Sequence, residues 1–153
     1  MVDYYGLPGS WPGRDRATGL RSTEEKAVCV EAAIREDVIA ETGNRFESDR
    51  FVPFVVMHEF EGLLFSDCGA FSRGIGRPDL QASLQEIRED FATPEEINDS
   101  PVTAPSKRVS DLVPGYGKPL LGVLAVLEIG LSRIREQCPH FDHWLKQLEA
   151  RAG

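Results

Sequence analysis

The stretch RFVPFVVMHEFEGLLFSD, residues Arg50–Asp67, decides the fold class. Its first half is a continuous apolar run of strand length, which reads as a central strand buried on both faces beneath helices. Pro53 has no N–H to donate, so the first residues of the run are expected to lie outside the ladder. From His58 onward the period changes, because Phe60, Leu63 and Leu64 fit helical spacing. A buried strand handing over to a helix is the building unit of an open α/β sheet, and charges at that junction sit at the mouth of the sheet. His58, Glu59 and Glu61 occupy it.

Upstream, MVDYY at Met1–Tyr5 reads as a short strand with Val2 and Tyr4 on one face, ending at Asp3. A Gly/Pro-rich loop follows from Gly6 to Gly19. Ser22 and Glu25 form a capping box, and Ala27, Val30, Ile34 and Val38 recur on one helical face until Gly43 and Asn44 stop the helix. Downstream, Pro78 sits in the first turn of a helix with the stripe Leu80, Leu84, Ile87 and Phe91. Thr93, Pro94 and Glu96 start a short helix ending around Asn98 to Pro101, and Ser106 caps another of one to two turns. Pro119 opens a long, almost wholly apolar helix to Ile129 that is expected at the centre of the core. Gly130 breaks it, and Pro139 precedes a last helix with Phe141, Leu145 and Leu148. The expected fold class is α/β: a small, mostly parallel sheet with flanking helices and a helix-rich C-terminal half.

The chain has 153 residues, which predicts one domain over 1–153, with a sheet-forming part at 1–66 and a mostly helical part at 67–153. Its 41% hydrophobic and 27% charged residues exclude global disorder. A net charge of -8 disfavours a non-specific, electrostatically driven nucleic-acid binder. It still allows a nuclease, whose acidic site recruits a divalent cation that then meets phosphate. No apolar run is long enough to span a bilayer, and three widely spaced cysteines fit a reducing compartment, so a cytoplasmic location without a membrane is expected.

Glu59 and Glu61 are two apart and share a face on a strand, but point about 200° apart on a helix. Carboxylates at such a junction suit Mg²⁺ or Mn²⁺; equally, acidic residues favour the first turn of a helix. Asp3 converges with Glu59 if the two strands are parallel neighbours, and is otherwise a surface residue before a turn. Lys107 and Arg108 stand at a helix start, where cations oppose the helix dipole; a phosphate ligand offsets that cost, and a solvated basic pair is the plainer alternative. Gly62 stands where the zinc-protease pattern needs a second histidine. Cys138, His140 and His143 lack the further ligands of a zinc site and read as structural.

Four segments, VDYYGLPGSWPG, HEFEGLLFSD, TPEEINDSPVTAPSKR and IGLSRIREQCPHFDHWLKQLE, resemble the family of unknown function 4276 in sequence and order. Members of that family look like remote relatives of Toprim domains, the Mg²⁺-dependent catalytic fold of topoisomerases, primases and certain nucleases, and are often encoded beside ATPases in phage-defence settings. The resemblance implies an incomplete Toprim-like domain, because Tyr5 stands where the second Asp of an Asp-x-Asp pair is expected and the segment carrying the first catalytic Glu has no counterpart. The chain looks like an N-terminally shortened member. The implied function is a metal-dependent nuclease acting on DNA or RNA. Asp3, Glu59 and Glu61 would hold Mg²⁺ or Mn²⁺, Lys107 and Arg108 would neutralise phosphate, and His58 would relay a proton. The alternative is a non-catalytic module that docks on a partner ATPase. Bare sheet edges imply a homo-oligomer.

Overall fold

A computed structural model describes residues 1–43, 46–97 and 104–152. The described residues are 67% helical, with a two-stranded parallel sheet, an α/β fold weighted towards helix. The chain divides into two compact units, Met1–Met57 with His143–Gly153, and His58–Asp142.

In the first unit β1 (Val2–Asp3) pairs in parallel with β2 (Val55–Val56), Val2 opposite Val55. Val2 N–H donates to Phe54 O and Tyr4 N–H to Val56 O, both at 2.9 Å. As expected, Pro53 stays out of the ladder. The apolar run is buried at Phe54, Val55 and Met57, but only Val55 and Val56 count as strand. Among the described residues β2 has β1 as its one neighbouring strand. On the other side, Val55 N–H donates to the Glu31 carboxylate at 2.8 Å. That carboxylate comes from α2 (Thr23–Thr42), whose Ser22–Glu25 capping box forms in both directions. Ala27, Val30 and Ala33 of α2 are buried, and Tyr4, Ala17 and Met57 complete this core with Val55. A short helix, α1 (Arg14–Thr18), lies inside the stretch expected to be a loop. Gly13 permits it: its φ is 79°, and a Cβ there would come within 2.7 Å of Ala33 Cβ. Trp144 stacks on Phe54 with centroids 4.7 Å apart and donates its indole N–H to Val52 O.

The second unit is helical: α3 (Phe60–Leu64), α4 (Cys68–Gly74), α5 (Gln81–Glu89), α6 (Pro105–Leu112), α7 (Lys118–Ile129) and α8 (Leu131–Gln137). The last helix, α9 (Pro139–Ala152), begins in this unit. Phe65, Phe71, Leu84, Ile97, Val109, Ala125 and Cys138 are buried in one core. Glu95 holds the start of α9, accepting from His140 N–H and Phe141 N–H at 2.9 Å each. Thr93–Pro94–Glu96 gives a 3-10 turn over Pro94–Glu96 rather than an α-helix; its expected end at Asn98 to Pro101, like the Asn44 stop, falls outside the described residues. The N-cap of α6 is Ala104 rather than Ser106, because Pro105 takes the first helical position.

The expectation for the Pro119–Ile129 helix needs correction. Helix α7 buries Gly122, Ala125 and Ile129, while Leu120, Val123, Leu124 and Leu127 are exposed. The cause is close packing through small residues. A Cβ on Gly74 of α4 would lie 2.6 Å from Ala125 Cα and 3.0 Å from Leu124 O, so the backbones touch where α4 and α7 cross. The side of α7 that carries Gly122 and Ala125 faces inward, with Leu121, Val126 and Ile129 against the core, and four large aliphatics are left outside. Gly74→Ala is therefore expected to destabilise the protein by about 1–3 kcal/mol through overpacking, despite alanine's better helix propensity, read as a lower urea midpoint.

Candidate functional site

The chain leaves β2 at Met57 and enters α3 through two residues that cannot both face water. His58 is 7% exposed. Glu59 is the N-cap of α3 with extended backbone, φ -145° and ψ 156°. Its side chain makes no capping bond to its own helix; instead Oε2 accepts the N–H of Ser106 at 2.8 Å. Ser106 is the second residue of α6, so Glu59 supplies an anion to the first turn of a helix 47 residues away. Lys107 and Arg108 follow directly in that turn. Lys107 is exposed, whereas Arg108 is half-buried with its guanidinium 5.7 Å from the centre of the Phe91 ring. A carboxylate of the chain itself thus stands at the helix start that carries the basic pair.

Glu61 is the second residue of α3 and only 5% exposed. Its charge bears on Tyr116, whose phenol is pushed up to about 12 by burial first and by Glu61 second. The Tyr116 hydroxyl is buried and, among the described residues, has no hydrogen-bond partner. Gly62 is required by packing, since a Cβ there would lie 3.1 Å from Pro94 O.

Asp3 belongs to the first unit and is exposed; its Oδ1 accepts Tyr5 N–H at 3.0 Å, the short turn-forming bond of an aspartate after a strand. Of the six residues singled out from the sequence, the other five fall in the second unit. The structure brings Glu59 to the helix that carries Lys107 and Arg108. Among the described residues no three His, Cys, Asp or Glu side chains form a group that could hold a metal ion. Mg²⁺ and Mn²⁺ ask for several hard oxygen donors, and the described carboxylates do not assemble such a set. Cys138 is fully buried beside Ser66 Oγ at 3.3 Å, and burial pushes its thiol up to about 12, a packing role.

Sequence reasoning missed the outer face of α7. Leu120, Val123, Leu124 and Leu127 fall at i, i+3, i+4 and i+7, a stripe that was visible but was assigned to the core because the opposite face is apolar too. The Glu59 contact yields a direct check. Glu59→Ala leaves the Ser106 N–H without its charged acceptor and is expected to cost about 1.5–3 kcal/mol in urea unfolding followed by circular dichroism, whereas Glu59→Gln, which keeps an acceptor oxygen, costs less.

Among the described residues no helix is long and apolar enough to cross a membrane. Neither a curated protein nor a solved structure matches the chain. One family model does, that of the domain of unknown function DUF4276, over residues 1–149. With nearly the whole length matched, the chain belongs to the DUF4276 family.

Proposed function

We propose that this chain is a protein-interaction module that docks on a partner ATPase through the aliphatic face of α7. One observation carries the reading: Leu120, Val123, Leu124 and Leu127 are 67%, 55%, 42% and 73% exposed on one stripe. Isolated exposed leucines need no explanation, but a contiguous apolar stripe on a rigid helix marks an interaction surface. The spacing is that of a helix laid in an apolar groove, where anchors recur at i, i+3, i+4 and i+7. Charge chooses the occupant. A second copy would bring another net -8 against this one, whereas a partner with a basic rim around an apolar groove is attracted. The ATPase commonly encoded beside family members is the partner class proposed. Co-expressed with it, the wild-type chain is expected to co-purify, and Leu124→Asp with Leu127→Asp to abolish the complex while the far-ultraviolet spectrum is unchanged. A complex that survives both substitutions, or a homodimer that they disperse, overturns the reading.

The metal-dependent nuclease is the second reading, and the junction of Glu59 with α6 favours it. That junction gathers an acidic and a basic motif 47 residues apart, beside buried His58 and Glu61. Toprim relationship, Mg²⁺ or Mn²⁺ use and a DNA or RNA substrate all belong to this reading. Among the described residues no three His, Cys, Asp or Glu side chains group together, so an ion held here would take its remaining oxygens from water and phosphate. Nicking of supercoiled plasmid that requires Mn²⁺ and is lost in Lys107→Gln with Arg108→Gln, at unchanged stability, would support it; no nicking at all, or nicking indifferent to the ion, would count against it.

A further inference from the structure

The second unit holds a cleft of about 510 Å³ between the α3–α4 turn, α5 and α8. It shares no lining residue with the Glu59 junction. We propose that this cleft binds a small phosphorylated polyol, a sugar-phosphate-like ligand, with Arg73 and Arg133 taking the phosphate and the neighbouring glutamines taking hydroxyls.

Charge is the first argument. Arg73, Arg88 and Arg133 bring three guanidiniums to one cleft, beside Asp67 and Glu89, in a chain of net -8. Each guanidinium is held in place. Arg73 Nε donates to Glu128 at 2.9 Å, and Arg133 Nη1 to Glu136 at 3.1 Å. Arg88 donates to the carbonyls of Phe91 and Ala92 at 2.6 and 3.2 Å, which closes the end of α5. Arg88 therefore contributes field, while Arg73 and Arg133, 56% and 45% exposed, remain reachable. Guanidinium forks match phosphate geometry, and each of these two side chains carries further N–H donors beyond the one bonded to its glutamate.

The floor is the second argument. A Cβ on Gly69 would lie 3.4 Å from Asp67 Oδ1, 3.5 Å from Arg73 Nη1 and 3.5 Å from Gln81 Cδ. An acceptor, a cation and an amide thus converge over the one lining residue without a side chain. Gln81 and Gln85 stand one turn apart on α5, and Gln137 stands one turn from Arg133 on α8. Amides both donate and accept, which is what hydroxyl groups require.

The remaining walls narrow the class. Phe65, the one aromatic lining residue, is 1% exposed and offers no platform for stacking a base. Most small-molecule pockets are largely apolar; one walled by arginine, glutamine and carboxylate suits a ligand polar over its whole surface. Burial pushes the Cys68 thiol up to about 11, so it stays protonated near neutrality and the cleft binds without a thiolate.

The test follows amide chemical shifts of the whole chain during titration with ribose phosphate, inorganic phosphate and ribose. Ribose phosphate is expected to move the Cys68–Arg73, Gln81–Glu89 and Arg133–Gln137 amides together, and to bind more tightly than phosphate. Arg73→Gln with Arg133→Gln should weaken it at least about tenfold, the effect of losing a charge-assisted hydrogen bond, while Arg151→Gln should leave it unchanged. Gln81→Ala with Gln85→Ala should bring ribose phosphate down to the level of phosphate. Shifts absent up to about 10 mM, shifts scattered over the surface, equal affinity for phosphate alone, or indifference to the arginine substitutions would overturn the assignment.

Discussion

Backbone N–H groups at helix starts and along the open side of a strand need acceptors, and in this protein carboxylates from distant segments provide them. Glu31 takes Val55 N–H on β2, Glu59 takes Ser106 N–H on α6, and Glu95 takes His140 and Phe141 N–H on α9. These contacts span 24, 47, 45 and 46 residues of sequence. Each satisfies a main-chain donor and locks one element against another. Hydrogen bonds to a charged acceptor contribute about 1.5–3 kcal/mol each, more than a neutral pair. A chain with 25 acidic residues can therefore use some of them as internal connectors.

The same economy of contact shapes the helical unit. Where Gly74 meets Ala125 there is no room for a side chain, so α4 and α7 approach backbone to backbone. Close approach through small residues fixes the rotation of α7 about its axis. Once that rotation is set, the leucines of the other side have no core to enter. The exposed face is thus a consequence of tight packing, and its helical backbone suits it to recognition, because little backbone freedom remains to be lost on docking.

Much of the local structure was legible. The Ser22–Glu25 box, the Gly43 stop, the exclusion of Pro53 from the ladder and the Gly130 break all rest on the chemistry of one to four neighbouring residues, and all appear. The four family segments were equally plain. What was not legible depends on partners far along the chain. Acidic residues at a strand end look alike whether they await a ligand or a helix start, and the bond from Glu59 to Ser106 joins partners 47 residues apart, beyond the reach of local pattern. Helix α7 is apolar all round, so periodicity could not tell which side the core would take. Helix α1 was hidden because Gly13, read as a loop signal, instead supplies the positive φ from which the helix starts.

The bond from Val55 to Glu31 reaches past stability to the width of the sheet. A strand with a vacant side is a template on which a foreign peptide or another copy can add itself. Here the template is blocked by one carboxylate, and any incoming strand must first evict it. The block depends on helical phase: sliding α2 by a single residue would swing Glu31 about 100° round the helix and reopen the strand. This side of β2 is therefore guarded by the angular setting of a helix.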